Sequence, residues 1–529
     1  MTAAARTAGA RRPRLSLATL TLVLFLTFLD NTVVSVALAD IQTRLSAGVA
    51  ALQWVVDGYA LPFAALMLAF GALSDRFGRK RVMLLGVAVF CAGSVIGAVA
   101  PDSSTLIAGR VVMGVGAAAS EPGTLSMIRH LYSDRAERAR ALGVWAAVSG
   151  LALALGPVIG GVLVGLWSFR AIFWFNVAFG VLAFAGALTV LPESADPDGR
   201  AIDWLGFLLG ATAISASSGA VIWGETAGYG AAHINALFAV AAVAAVGFVW
   251  QELRSPNPML DLRFFKRGAF AGSTFVAFAV YFGIFSIFFF VALYLQIVGN
   301  ATGYATAVLF LPMAGGMVVS SVFAGRWVAE SGPRMPMVFG CFLAALGIIL
   351  TDVRITPSAG MASIGWTLAL AGVGLGVAVV PVTSTALSVI PPEHSGTAAS
   401  ATNTSRELGA VVGVAALGSM VNAQLTTQLS HQLAAIGIPP AFRAQVITAV
   451  TTGQFNSQAA SVTKGNKALQ AIVDKIINAA YGAFGHGIDL ALLTAGALLA
   501  FCAVVAALTI RVRPSPSMGP GFDEPAAAV

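Results

Sequence analysis

Apolar runs about as long as a bilayer is thick recur along nearly the whole chain, and no other feature restricts its fold so strongly. A hydrocarbon layer about 30 Å thick is crossed by about 20 apolar residues in α-helix. Fourteen such runs can be marked, at 16–39, 51–73, 82–100, 104–128, 141–166, 171–191, 203–224, 234–251, 269–298, 303–325, 336–352, 362–390, 398–421 and 488–510. Lipid offers no partner to a backbone N–H or C=O, so runs of this kind span as helices. The expectation is an all-α polytopic membrane protein with fourteen transmembrane helices. Composition agrees, since 58% of the 529 residues are hydrophobic and only 10% are charged, where a soluble domain carries about 25%. So few charges could not cover a water-soluble enzyme, and a disordered chain or a nucleic-acid module is excluded with it. Cys91, Cys341 and Cys502 all lie inside apolar runs, so no disulfide framework follows.

The formal net charge of +7 is mostly a topology signal. With the N-terminus inside, the cytoplasmic segments hold twenty-two Lys and Arg, among them Arg11, Arg12, Arg14, Arg76, Arg79, Lys80, Arg81, Arg135, Arg138, Arg140, Arg263, Lys266 and Arg406. The outer segments hold seven, namely Arg44, Arg170, Arg354, Arg443, Lys464, Lys467 and Lys475, and Arg110 falls within a span. Lys and Arg collect on the cytoplasmic side, so both termini are expected there. Residues 6–14 and the apolar run after them mimic a signal peptide, but that run is longer than the about 7–15 residues of such a segment and carries Asp30. It reads as an uncleaved first span.

Internal echoes divide the chain. Gly71 to Lys80 (GALSDRFGRK) has a faint counterpart in Gly325 to Arg334 (GRWVAESGPR), and Leu155 to Gly160 (LGPVIG) has one in Leu408 to Gly413 (LGAVVG). The two separations agree to within one residue, as expected of a repeated half. The expected organisation is a basic cytoplasmic N-terminus at 1–15, a six-helix bundle at 16–191, an inserted helix pair with a cytoplasmic linker at 192–268, and a second six-helix bundle at 269–510. Repeated halves with a site at their interface near mid-membrane are the architecture of secondary transporters. Within the second bundle, 422–487 is rich in Gln, Asn, Thr and Ser and is predicted as an extracellular helical hairpin, either a plain cap or a participant in transport. The Pro- and Gly-rich tail, 511–529, reads as disordered.

Specific motifs then point to a family. Gly71 to Lys80 resembles the loop signature of the major facilitator superfamily, placed between spans 2 and 3 as in that family. Ser149 to Gly161 in span 5 resembles its antiporter motif, and Leu29 to Leu38 (LDNTVVSVAL) resembles the span 1 signature of its fourteen-span drug:proton antiporters. Trp54 to Tyr59, Leu125 to Arg129 and Pro258 to Lys266 are similar to segments of the antiseptic and quaternary-ammonium exporters. The resemblance covers about 20–420. It implies proton-driven export of amphipathic, cationic drugs or antiseptics across a bacterial inner membrane, by a monomer whose partners are small amphipathic molecules, protons and membrane lipids. The driving force would be the proton gradient, with no cofactor, no metal and no nucleic acid. There are two departures: Met113 stands where the family's span 4 signature has Gln, and Glu121 stands where relatives often carry an apolar residue.

The chemistry expected of such a site falls on few residues. A charged side chain at mid-depth costs at least about 2.5–3.5 kcal/mol, so Asp30, Asp57, Arg110, Glu121 and Glu407 are the proton-coupling or substrate candidates. A coupling carboxyl must change its proton affinity as it is desolvated, wetted or brought near a cation. Asp30, near mid-depth, is the first candidate, and a permanent salt bridge to Arg110 is the other reading of it. For Asp57, Glu121 and Glu407 a bland hydrogen-bonded role stands beside the functional one. Asn31, Tyr59, Tyr294, Gln296 and Asn403 are candidates for the substrate pocket, because rings attract organic cations at about 0.5–2 kcal/mol each. Gly71, Asp75, Arg76, Gly78, Arg79 and Lys80 are candidates for a conformational latch, with a purely topogenic role as the alternative. Gly156, Gly160, Gly161 and Gly165 permit close helix approach and Pro157 permits a kink, so span 5 is expected to slide between the halves. No phosphate-binding loop or HExxH appears, which disfavours ATP drive and a metal hydrolase. Export of an endogenous lipid or metabolite, or a non-cycling membrane sensor or scaffold, remain the other functional classes.

Overall fold

The computed structural model describes residues 13–132, 134–194, 203–256, 258, 260–390, 395–451 and 467–510. Among these, helices are the only regular elements. The first half comprises α1 (Pro13–Val33), which passes through a 3-10 turn into α2 (Leu38–Leu45), then α3 (Val49–Phe77), α4 (Arg79–Val99), α5 (Ser103–Ser120), α6 (Pro122–Leu131), α7 (Arg135–Leu166) and α8 (Arg170–Val190). Next come α9 (Trp204–Ala227) and α10 (Ala232–Arg254). The second half holds α11 (Gly268–Ser286), continued by a π-turn into α12 (Ala292–Ile297), then α13 (Gly303–Ser331), α14 (Arg334–Arg354), α15 (Trp366–Ser388), α16 (Ser395–Ala435), α17 (Pro440–Thr451) and α18 (Lys467–Thr509). Among the described residues, thirteen helical stretches are long and apolar enough to cross a membrane, and α5 with α6 supplies a further crossing in two pieces.

Local chemistry sets the boundaries. Asp102 opens α5 by accepting from the Thr105 N–H at 2.8 Å, and Asp203 opens α9 by accepting from Gly206 N–H at 2.8 Å, each satisfying an orphan donor of a first helical turn. Gly78 joins α3 to α4 at φ +108°, a backbone setting that disfavours a side chain. The break between α5 and α6 falls at Glu121 because Pro122 has no N–H to continue the ladder, and Thr124 Oγ1 donates to the Glu121 carbonyl at 2.7 Å instead.

In the first half α1 packs on α7 and α8, α3 on α5, and α4 on α5 and α8; in the second, α11 packs on α16 and α18, α14 on α15 and α18, and α13 on α15. The halves meet along two seams, α7 against α13 and α3 against α16. The inserted helix α9 lies over the second seam and touches both α3 and α16, while α10 leans on α9 and leaves Val243 and Val246 exposed where lipid would lie.

The structure redraws part of the outer region. Helix α16 is 41 residues long and α18 is 43; at about 1.5 Å per residue, each is about twice the length that crosses the hydrocarbon. The described parts of 422–487 are therefore extensions of the two flanking spanning helices plus α17. Residues 1–12, the stretch 452–466 and the tail 511–529 lie outside the described residues. One charge also moves: Arg406, counted above as cytoplasmic, is a buried residue of α16.

Candidate functional site

The charged residues inside the membrane fall into two clusters that differ in how they are satisfied. The first belongs wholly to one half. Asp30 of α1 pairs with Arg110 of α5, which donates from Nη1 to Asp30 Oδ2. Asn176 of α8 donates from Nδ2 to Asp30 Oδ1 at 2.6 Å. Arg110 Nε donates to the Val55 carbonyl at 2.8 Å, and the guanidinium lies over the Tyr59 ring, 4.5 Å from its centroid. The Tyr59 hydroxyl in turn donates to Thr27 O at 2.8 Å. Asp30, Arg110, Asn176 and Tyr59 are all fully buried. The span 1 carboxylate thus has a cation on one oxygen and an amide on the other. Removing one member of a buried pair costs about 3–5 kcal/mol, because the survivor is left uncompensated.

The second cluster bridges the halves. Glu121, at the break between α5 and α6, lies within electrostatic reach of Arg406 on α16, and Glu407, the next residue on α16, feels both Glu121 and Arg406. Neither oxygen of Glu121 accepts a hydrogen bond, and Oε2 of Glu407 accepts none. Asn31 of α1 lies alongside Glu407 but makes no well-formed hydrogen bond to it. Arg406 donates from Nη1 to Asn403 Oδ1 at 3.2 Å and sits 5.5 Å from the centroid of the Tyr281 ring on α11. Glu121, Arg406 and Glu407 are all buried. Tyr59 stands between the two clusters, in electrostatic reach of Asp30, Arg110, Glu407 and Glu121.

The remaining candidates lie elsewhere. Asp57 is fully buried with both oxygens unbonded, and no charged group contributes to its surroundings. It shares a face of α3 with Gln53, which packs on Gly418 of α16, and with Leu61, which packs on Val411, so it belongs to the α3–α16 seam. Trp54, beside Gln53, meets Trp223 of α9 at 5.2 Å between ring centroids. Tyr294 and Gln296 lie at the outer end of α12, where Gln296 Oε1 accepts from Ala39 N–H at 3.1 Å and so ties the two halves together. Tyr294 packs near Gly485 of α18, within reach of Asp489.

The basic loop has a partner that the sequence did not suggest. Glu193, just beyond α8, accepts from Lys80 N–H at 3.1 Å through Oε1 and faces Arg81 Nε at 3.6 Å through Oε2. Arg79 N–H donates to Ser194 O at 2.9 Å, and Lys80 Nζ donates to Leu188 O at 2.7 Å. A side chain at Gly78 would run into Glu193. None of these contacts reaches the second half. Gly71 packs near Pro122, Arg76 is exposed, and Asp75 sits in the last turn of α3 with its side chain outside the described residues.

The glycines of α7 divide between two neighbours. Gly156 and Gly160, with Pro157 between them, press on α1 at Thr32 and Val33 within the same half. Gly161 and Gly165 press on Gly303, Ala307 and Tyr304 of α13 in the other half. Together with the Ala39 to Gln296 hydrogen bond, the second pair closes the outer ends of the halves against each other.

Three residues of these arrangements were missed by sequence reasoning. Asn176 is the one polar residue in an apolar stretch of span 6, a signal that could have been read. Arg406 lies inside the run marked at 398–421, beside Glu407, yet was counted with the cytoplasmic charges, and Glu193 looks like an ordinary acid past the end of a span.

Comparison with known proteins agrees with this architecture. The family model described as Major Facilitator Superfamily matches residues 20–414. The multidrug resistance protein Stp of Mycobacterium tuberculosis is 32% identical over 436 residues, covering 82% of this chain and 81% of Stp. The methylenomycin A resistance protein of Bacillus subtilis is 36% identical over 402 residues, covering 75% of this chain and 85% of that protein. Among solved structures, an inward-facing, unoccupied bacterial homologue of the human lysosomal transporter Spinster superposes with a TM-score of 0.61 at 16% identity, covering 96% of this chain and 99% of that one, a likeness of fold alone.

Proposed function

The chain belongs to the Major Facilitator Superfamily, and from that premise we propose that this transporter exports an amphipathic, cationic drug in exchange for external protons. It is not an enzyme. The observation that carries the reading is the second cluster: buried carboxylates of Glu121 and Glu407 with three unbonded oxygens between them, contributed by opposite halves and within electrostatic reach of one another. A buried charge needs a partner or water. A proton and an organic cation are alternative partners for the same oxygens, and competition for them is what couples the two flows. The resistance and multidrug names of the relatives support a drug as the cargo.

The outer contact of α7 with α13 supports a cycle of alternating access. With the outer ends of α7 and α13 pressed together, the cluster exchanges ligands with the inner side, where cargo displaces the proton. Separation at Gly161 and Gly165 then exposes the acids to the outside, where a proton displaces cargo. Each ligand shifts the equilibrium only through its different affinity for the two states. Asp30 with Arg110 holds α1, α5 and α8 as one body during this motion, and Asp57 lines a seam the motion must shear.

The test is efflux of several cationic, zwitterionic and neutral dyes from vesicles with an imposed pH gradient. Cationic dyes are expected to move against their own gradient and to stop when a protonophore collapses the pH difference. Efflux that ignores the protonophore, or no efflux of any compound, would overturn the proposal.

A further inference from the structure

The insert between the halves has no part in the exchange proposed above, yet α9 is built to touch both of them. Ile214, near its middle, packs on a small apolar cluster made by Ala60 and Leu61 of α3 and Val411 of α16. Farther out, Trp223 meets Trp54 of α3 at 5.2 Å between ring centroids. Beyond the end of α9 the chain turns at Gly228, where φ is +83°, a setting that favours glycine. The turn folds Tyr229 back so that its ring covers Gly224, where a side chain would collide with it, and its hydroxyl donates to the Val221 carbonyl at 3.0 Å. The same hydroxyl meets Ser419 Oγ of α16. A left-handed glycine and a glycine notch thus aim one hydroxyl at the opposite half.

We propose that α9 is a strap carried by the first half and clasped to the second through Tyr229 and Ser419, which steadies the outer-closed arrangement and lets go when the halves part at the α3–α16 seam. This rests on the alternation of access proposed above. Ser419 follows Gly418, whose missing side chain leaves the notch that Gln53 of α3 fills with its amide, and Gln53 is fully buried there. The clasp therefore lies over a contact between the halves. The two ends of the strap differ in what release costs. Parting Trp223 from Trp54 gives up ring contact. Tyr229 is 43% exposed, so it can trade Ser419 for water, and no hydroxyl need be left buried without a partner. A hydroxyl pair between helices is a small force, which suits a clasp that must open in every cycle.

The experiment measures the distance between spin labels at Thr43→Cys and Thr356→Cys, exposed residues at the outer ends of the two halves. It uses the full-length protein in nanodiscs, with Cys91, Cys341 and Cys502 changed to alanine. Two populations are expected, outer-closed and outer-open. Tyr229→Phe, which keeps the ring, and Ser419→Ala, on the other half, are each expected to raise the open-to-closed ratio about two- to tenfold. The double change should do no more than either alone, since both remove one bond. Labels at Thr43→Cys and Ala232→Cys should keep one distance in both populations, because the strap rides with the first half. An unchanged or lowered ratio in either folded variant, full additivity in the double change, or a Thr43 to Ala232 distance that splits with the populations overturns the clasp, while proton-driven dye efflux by the wild type leaves the function above standing. Should Tyr229→Phe fail to fold, Ser419→Ala decides. A single Thr43 to Thr356 distance in the wild type, at every pH and with a cationic dye added, overturns the alternation and the clasp with it.

Discussion

The two intramembrane clusters contain the same kinds of groups and do opposite things with them. Asp30, Arg110 and Asn176 form a closed set inside one half, in which each carboxylate oxygen has a donor. Glu121, Arg406 and Glu407 form an open set between halves, with three carboxylate oxygens unbonded. Burial is complete in both, so depth in the membrane does not separate structure from function here. What separates them is whether the partners move together. A pair fixed in one rigid body gains stability from its bonds; a set divided between two bodies keeps acceptors open for a ligand.

This contrast yields ordered expectations. Arg110→Ala is expected to cost about 3–5 kcal/mol by leaving Asp30 uncompensated, read as a large loss of thermal stability in detergent. Glu121→Gln and Glu407→Gln should leave stability unchanged or raised, while abolishing efflux driven by a pH gradient; a stability loss as large as that of Arg110→Ala would erase the distinction between the clusters. Next in size is the double change of Asp30→Asn with Arg110→Gln. It should recover most of the stability lost by Arg110→Ala, because neither charge is left alone, and efflux of a cationic dye then shows whether Asp30 carries a proton at all. A smaller effect, about 1–3 kcal/mol of overpacking, is expected at α7, in two forms. Gly156→Val should lower thermal stability, since its neighbour Thr32 belongs to the same half. Gly161→Val should instead bias the protein against outer closure, read by cross-linking across α7 and α13. The smallest concerns the insert: Asp203→Ala removes the cap of α9 and should cost about 1 kcal/mol, seen as a slight drop in melting temperature with efflux intact.

Much of the fold was readable because its signals are long. Runs of twenty apolar residues sum over many positions, and the spanning helices follow them closely. The charged candidates were readable one at a time, since a lone acid such as Glu121 in an apolar run is conspicuous. Which of them meet was not readable. Asp30 and Arg110 are far apart in sequence, and so are Glu121 and Glu407; the pairing is decided by helix packing that a single sequence does not encode locally. Arg406 was counted with the cytoplasmic charges although it lies inside the apolar run marked at 398–421, next to Glu407. The length of α16 and α18 escaped because polar residues beyond the bilayer carry no hydropathy signal, although the helix continues through them.

The placement of glycines on α7 has a mechanical corollary. Gly156 and Gly160 rivet this helix to α1 through Thr32 and Val33, one and two residues from Asn31. Gly161 and Gly165, on its other flank, bear on the far lobe. Prising the outer door therefore drags α1 along with α7, and Asn31 is carried away from Glu407 in the same stroke. Door and acid are opposite arms of one lever, and a stiffer rivet at Gly156 would transmit the swing more faithfully than any added charge.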